Sequence, residues 1–132
     1  MSIQRDDDAN SPADAPPQPL PGSNLKEVAL WLLRLRRRVR VTGHSMYPLL
    51  RPGDELLVDP RAYRRTAPRP GDIVIARHPF KRGARLVKRV VSVTNEGQFH
   101  LTGEDPLHSD DSRRFGPLPA GAILGRVTAR FP

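Results

Sequence analysis

Arg85-Leu86-Val87-Lys88-Arg89-Val90-Val91-Ser92-Val93-Thr94, followed by Asn95-Glu96-Gly97 and then Gln98-Phe99-His100-Leu101-Thr102, decides the fold class. Two runs rich in β-branched residues, separated by a short polar segment containing glycine, read as an antiparallel hairpin. Side chains alternate along a strand, so Leu86, Lys88, Val90 and Ser92 are expected on one face and Val87, Arg89, Val91 and Val93 on the other. Both sets are largely apolar, which places Lys88 where it is partly buried. Burial disfavours an ammonium and moves its reference pKa of about 10.4 toward the range where an amine accepts a proton. The plainer reading is a lysine whose stem is covered while its ammonium reaches water.

Working outward, Arg38 to Val41, Glu55 to Val58, Ile73 to Ala76 and Ala122 to Arg130 are further short β-type runs punctuated by Gly and Pro. The tetrapeptide Arg-Pro-Gly-Asp occurs at 51–54 and again at 69–72, each time leading into such a run, and reads as two similar turns. Tyr63 to Arg69 is a basic, proline-containing loop. Before the strands, Asn24 with Glu27 marks a helix start. Leu25, Val28, Ala29, Leu32 and Leu35 recur at helical spacing, and Arg34, Arg36, Arg37 and Arg38 crowd the far end, where cations suit the macrodipole. A helix is predicted from Leu25 to Arg37. It either packs on its own domain or presents Trp31 and the arginines to a membrane surface or partner. Met1 to Gly22 carries Asp6-Asp7-Asp8 and many prolines with few large apolar groups, the composition of a disordered tail. The expected organisation is a tail over 1–23, an amphipathic helix over 24–38 and a mainly β, antiparallel domain over 39–132.

The bulk composition bounds the chemistry. A chain of 132 residues has room for one modest core. Without cysteine there are no disulfides or thiolate ligands, and the four histidines show no paired spacing, so no metal and no cofactor are expected. The net charge of +8 biases the surface toward acidic partners. All the basic residues except Lys26, Lys81 and Lys88 are arginines, which cannot act as bases near neutral pH. No run approaches the roughly 18 residues that cross a bilayer, and the start is acidic where a secretory signal is basic. The expected compartment is the cytoplasm, with peripheral membrane contact through residues 25–38 as the variant reading.

One loop then stands out as a place for a nucleophile. In Gly43-His44-Ser45-Met46-Tyr47-Pro48-Leu49-Leu50-Arg51-Pro52-Gly53-Asp54, a serine next to apolar residues precedes a proline and a Pro-Gly-Asp turn, a setting that can present its hydroxyl rigidly. A serine beside a glycine is more commonly just a turn residue.

Three blocks in order resemble the signal peptidase I family of Ser/Lys proteases. They are Gly43 to Pro48; Arg69 to Val74 running on to Leu86-Val87-Lys88-Arg89-Val90; and Gly103-Glu104-Asp105 with Ser109-Asp110-Asp111-Ser112-Arg113-Arg114-Phe115-Gly116, continuing to Ile123-Leu124-Gly125-Arg126. The resemblance covers about residues 38–130 and implies a signal-peptidase-like antiparallel β catalytic core. It makes Ser45 the nucleophile and Lys88 the general base, with Ser109 holding the lysine amine in line. Asp111 and Arg113 correspond to a loop-shaping ion pair, and Arg89 to the partner of the acid at Glu104, although Gly103-Glu104-Asp105 leaves two adjacent acids to choose from. Gly43, His44, Ser45 and Met46 correspond to the oxyanion and substrate-binding segment. Gly43 stands where some members carry a serine whose hydroxyl joins the oxyanion hole. Within the family, the Arg-rich lead-in, Val58 to Arg65 and Gly125 to Thr128 are most similar to the proteases that mature nickel-type superoxide dismutase. That likeness implies a precursor protein as partner, cleaved at its propeptide, with the nickel belonging to the substrate.

Two other readings stand beside it. One is a membrane-surface-attached signal peptidase processing exported proteins. The other, a basic nucleic-acid-binding module, is permitted by the charge, but Trp31, the tyrosines and the phenylalanines do not interleave with the arginines as a stacking platform would, so no specific nucleic acid is expected.

Overall fold

The computed structural model describes Leu20 and residues 24–43, 45–105 and 111–130. Helix α1 (Leu25–Leu32) leads into β1 (Arg37–Arg40), β2 (Glu55–Asp59), β3 (Ile73–Arg77), β4 (Arg85–Val93) and β5 (Phe99–Thr102). A single helical turn, α2 (Ser112–Phe115), precedes β6 (Ile123–Arg130). Among the described residues the strands form one antiparallel sheet in the order β1-β2-β6-β3-β4-β5. This is the mainly β, signal-peptidase-like architecture that the sequence predicts, with one N-terminal helix ahead of it.

The sheet is covered on both faces, which is why its central strands are apolar without alternation. Ile73 and Ile75 of β3 join Leu56, Val58, Val127, Met46 and Leu50 in one buried cluster. Val74 and Ala76 join Val90, Phe99, Leu101, Leu118 and Ile123 in the other. The two Arg-Pro-Gly-Asp segments fold alike. Gly53 and Gly71 have φ of 92° and 99°, and each aspartate side chain accepts from the backbone N–H of its arginine, at 2.9 and 3.1 Å. Proline then glycine at the centre of the turn supplies the one positive φ it needs. Gly97, φ 79°, closes the Asn95-Glu96-Gly97 hairpin.

Two expectations need correction. The helix ends at Leu32 and not at Arg37. Leu35 N–H bonds the Leu30 carbonyl and Arg34 N–H the Trp31 carbonyl, a closing motif with Arg34 left-handed at φ 65°. The arginines consequently fall beyond the last turn. Arg37 to Arg40 instead pair with β2, where Arg38 and Arg40 both reach Glu55 and hold its carboxyl below the usual range. In β4 the alternation stops at Val90, because an irregularity makes Val90 face Leu101 while Ser92 faces His100. Cross-strand partners share a face, so Ser92 lies on the side opposite to Val90.

Candidate active site

The serine loop leaves β1 and returns to β2 through a closed set of backbone bonds. Val41 N–H donates to Asp54 O and Gly53 N–H to Val41 O, both at 2.8 Å, and Leu50 N–H donates to Met46 O at 2.8 Å. Met46 and Leu50 are buried in the first cluster and pin the loop to that face. Ser45 is half-buried between them and open solvent. Its carbonyl accepts from Asp105 N–H at 2.8 Å, which ties the serine to the 103–105 segment. Gly43 is exposed, and a Cβ there would meet nothing within 4 Å.

Lys88 is 2% exposed. It pairs with Val74 of β3, which in turn pairs with Arg126 of β6. Its neighbour Arg89, also buried, leaves from the other face. Arg89 Nε donates to Glu104 Oε2 at 3.0 Å and Nη1 to the Gly71 carbonyl at 2.9 Å, while its buried Nη2 has no acceptor among the described residues. The choice between the two adjacent acids is thereby made: Glu104 meets Arg89, and Asp105 uses its N–H on Ser45. Asp111 is fully buried and accepts from Gly103 N–H at 2.8 Å, Arg113 N–H at 3.0 Å and Arg113 Nη2 at 2.6 Å. Burial pushes its carboxyl up, but the Arg113 guanidinium and the two N–H donors outweigh that and hold it at about 2.

The structure therefore gathers Ser45, Glu104, Arg89, Asp111 and Arg113 around the 103–105 segment, with Lys88 beside Arg89 in the sequence of β4. His44 and Ser109 lie outside the described residues. One contributor had no role in the sequence reading although it stands inside its third block: Ser112 Oγ accepts from Leu101 N–H at 2.9 Å, fixing the block to β5. A polar pocket of about 190 Å³ lies elsewhere, lined by Tyr63, Thr66, Arg69, Asp72 and Arg126, and none of the predicted site residues lines it. Tyr63 Oη donates to Asp72 Oδ2 at 2.6 Å there, and burial with the neighbouring carboxylate pushes the phenol up, so Tyr63 is a structural donor.

Comparison with known proteins bears on this arrangement. Residues 27–94 match the model of the signal peptidase family, peptidase S26. The chain is 34% identical over 110 residues to a mitochondrial ATP-independent inner membrane protease subunit 1b of Arabidopsis thaliana, covering 67% of this chain and 65% of that protein. It is 30% identical to mitochondrial inner membrane protease subunit 1 of Xenopus tropicalis, covering 67% and 65%. Against subunit 2 of the same protease in Schizosaccharomyces pombe it is 30% identical over 138 residues, covering 80% and 74%. The chain thus spans 65% of the length of the first two relatives.

These relatives are inner membrane proteases and lend no support to the finer likeness to nickel superoxide dismutase maturation proteases. They also overturn the cytoplasmic expectation. That expectation rested on the lack of a spanning run and on an acidic start unlike a secretory signal, and no helix of the described residues is long and apolar enough to cross a membrane. A protein can work at a membrane without spanning it, so the premise was too weak for the conclusion. What the motifs, the sheet and the family match establish together is that the chain belongs to the signal peptidase S26 family of serine-type peptidases.

Proposed function

We propose that the chain is a serine endopeptidase of signal-peptidase type that cleaves exported precursor proteins at a membrane surface, with Ser45 as nucleophile and Lys88 as general base. The observation that carries this reading is the burial of Lys88, 2% exposed in a strand whose next residue is clamped to the segment holding the serine loop. An amine withdrawn from water loses the hydration that supports its charged form and becomes a usable base for a serine hydroxyl.

In this scheme the amine of Lys88 takes the Ser45 proton as Oγ attacks the scissile carbonyl. The oxyanion is met by the Ser45 N–H, with Gly43, His44 and Met46 shaping the segment around it. The leaving amine departs protonated, and Lys88 then deprotonates the water that releases the acyl group. Ser109 orients the lysine, whereas Arg89 with Glu104 and Asp111 with Arg113 hold the loops. Substrate backbone has a strand edge to lie on: β5 pairs with β4 only from Arg89 onward, so Arg85 to Lys88 have no strand partner on that side among the described residues.

A second substrate reading rests on the likeness of Val58 to Arg65 and Gly125 to Thr128 to nickel superoxide dismutase maturation proteases, and names that precursor's propeptide. The deciding experiment incubates the protein with a signal-peptide-bearing precursor and, separately, with a nickel superoxide dismutase precursor, and reads new N-termini by mass spectrometry. Ser45→Ala, Lys88→Ala and Lys88→Arg are expected to fold and to lose on the order of 10³-fold or more in kcat. Full activity in Lys88→Arg would remove the lysine from the mechanism, because a guanidinium stays protonated.

A further inference from the structure

We infer that the outer face of α1 is a docking surface for a lipid bilayer carrying anionic headgroups. The inference deepens the membrane-surface reading above and rests on it for the choice of occupant. An amphipathic helix on a globular domain ordinarily turns its leucines inward. Here the order is inverted. Leu25 is 88% exposed and Leu32 67%, on the same side of the helix as exposed Ala29, and Leu33 just beyond is 69% exposed. The opposite side, with Glu27, Val28, Leu30 and Trp31, is the part-buried one, and no residue of α1 is fully buried.

The seat of the helix is polar. Glu27 Oε1 accepts from Thr128 Oγ1 of β6 at 2.8 Å and from Arg36 Nε at 3.3 Å, and Arg36 continues to Asp59 of β2 at 3.6 Å. Glu27 thus fixes the rotation of the helix and directs its leucines away from the sheet. Cations border the leucines. Arg34 and Arg37 are exposed, and their side chains make no hydrogen bond or ion pair among the described residues. Arg38 lies 5.5 Å over the Trp31 ring. Leucines flanked by arginines and a tryptophan match the chemistry of the boundary between acyl chains and anionic headgroups, where each component finds its preferred medium.

The test is co-sedimentation of the full chain with phosphatidylcholine vesicles, with and without phosphatidylglycerol. Binding is expected with phosphatidylglycerol, weakened by high salt. The triple variant Leu25→Ser, Leu32→Ser, Leu33→Ser should lower partitioning about tenfold or more. Arg34→Gln with Arg37→Gln should lower it about tenfold on the anionic vesicles only. Cleavage of a short soluble peptide should be unchanged in both variants, which separates failure of this surface from failure of the peptidase reading. Absence of binding to anionic vesicles, binding equal on both vesicle types, or partitioning unchanged by the leucine variant each overturns the inference. So does a concentration-dependent dimer, by sedimentation velocity, that the leucine variant abolishes, because it would assign the face to a second copy.

Discussion

A carboxylate cut off from water persists only if protein donors replace its hydration, and Asp111 has donors on both oxygens. Its folded value of about 2 lies below its ordinary 3.8. A depressed carboxyl stabilises the fold above the unfolded value and ceases to do so as pH falls through the folded one. The contribution is therefore complete above about pH 4, on the order of 2 kcal/mol, and is lost between about pH 4 and pH 2. Asp111→Asn should cost about 1–3 kcal/mol at neutral pH by urea denaturation and should flatten the stability profile across that window. An unchanged profile would mean that Asp111 does not control acid unfolding. The Asp111–Arg113 pair was legible in the sequence because its members are two residues apart in one block. The partner of Arg89 was not, since Glu104 and Asp105 are both acids. The fold decides it: Arg89 pairs with Thr102 at the end of β5, and the segment that follows brings the Glu104 carboxylate to the Arg89 Nε.

The inner strands were readable because β2 and β3 are short apolar runs between turn residues, and the turns were readable because glycine and proline stand where the backbone demands them. The end of α1 was not. No glycine marks it, and an arginine takes the left-handed position, so periodicity alone carried the prediction several residues too far. The irregularity in β4 was equally silent, since nothing in Val90-Val91-Ser92 differs from a regular strand. Gly125 in β6 is the opposite case, a residue present in a recognisable block whose reason appears only in three dimensions. A Cβ at Gly125 would lie 2.8 Å from the Asp59 carbonyl oxygen and 2.9 Å from Val58 Cγ1. The carbonyl belongs to the backbone of the neighbouring strand and cannot rotate aside. Gly125→Ala should lower stability by about 1–3 kcal/mol, read as a reduced urea midpoint at unchanged slope. A midpoint equal to that of the parent would show that the end of β2 yields at no cost.

The most C-terminal strand among the described residues is an inner strand of the sheet. β6 lies between β2 and β3, so β1 and β2, which bracket the serine loop, join the β3–β4–β5 unit carrying Lys88 through it. Local pattern contains no trace of this arrangement, because strand order depends on pairings between distant segments. The proposed dyad therefore cannot assemble before β6 inserts, and the buried cluster that holds Met46 and Leu50 needs Val127 beside Ile73 and Ile75. A chain ended at Ala122 should keep two hairpin-like fragments without a common core and show no cooperative thermal transition by circular dichroism. Adding a peptide of residues 123–132 should restore the transition, because the vacant slot offers two antiparallel edges and an apolar face to the same segment. A sigmoidal melt for the shortened chain alone would show that the two halves meet without β6, and the serine and lysine sides of the site would then have to be joined by the loops around residue 105.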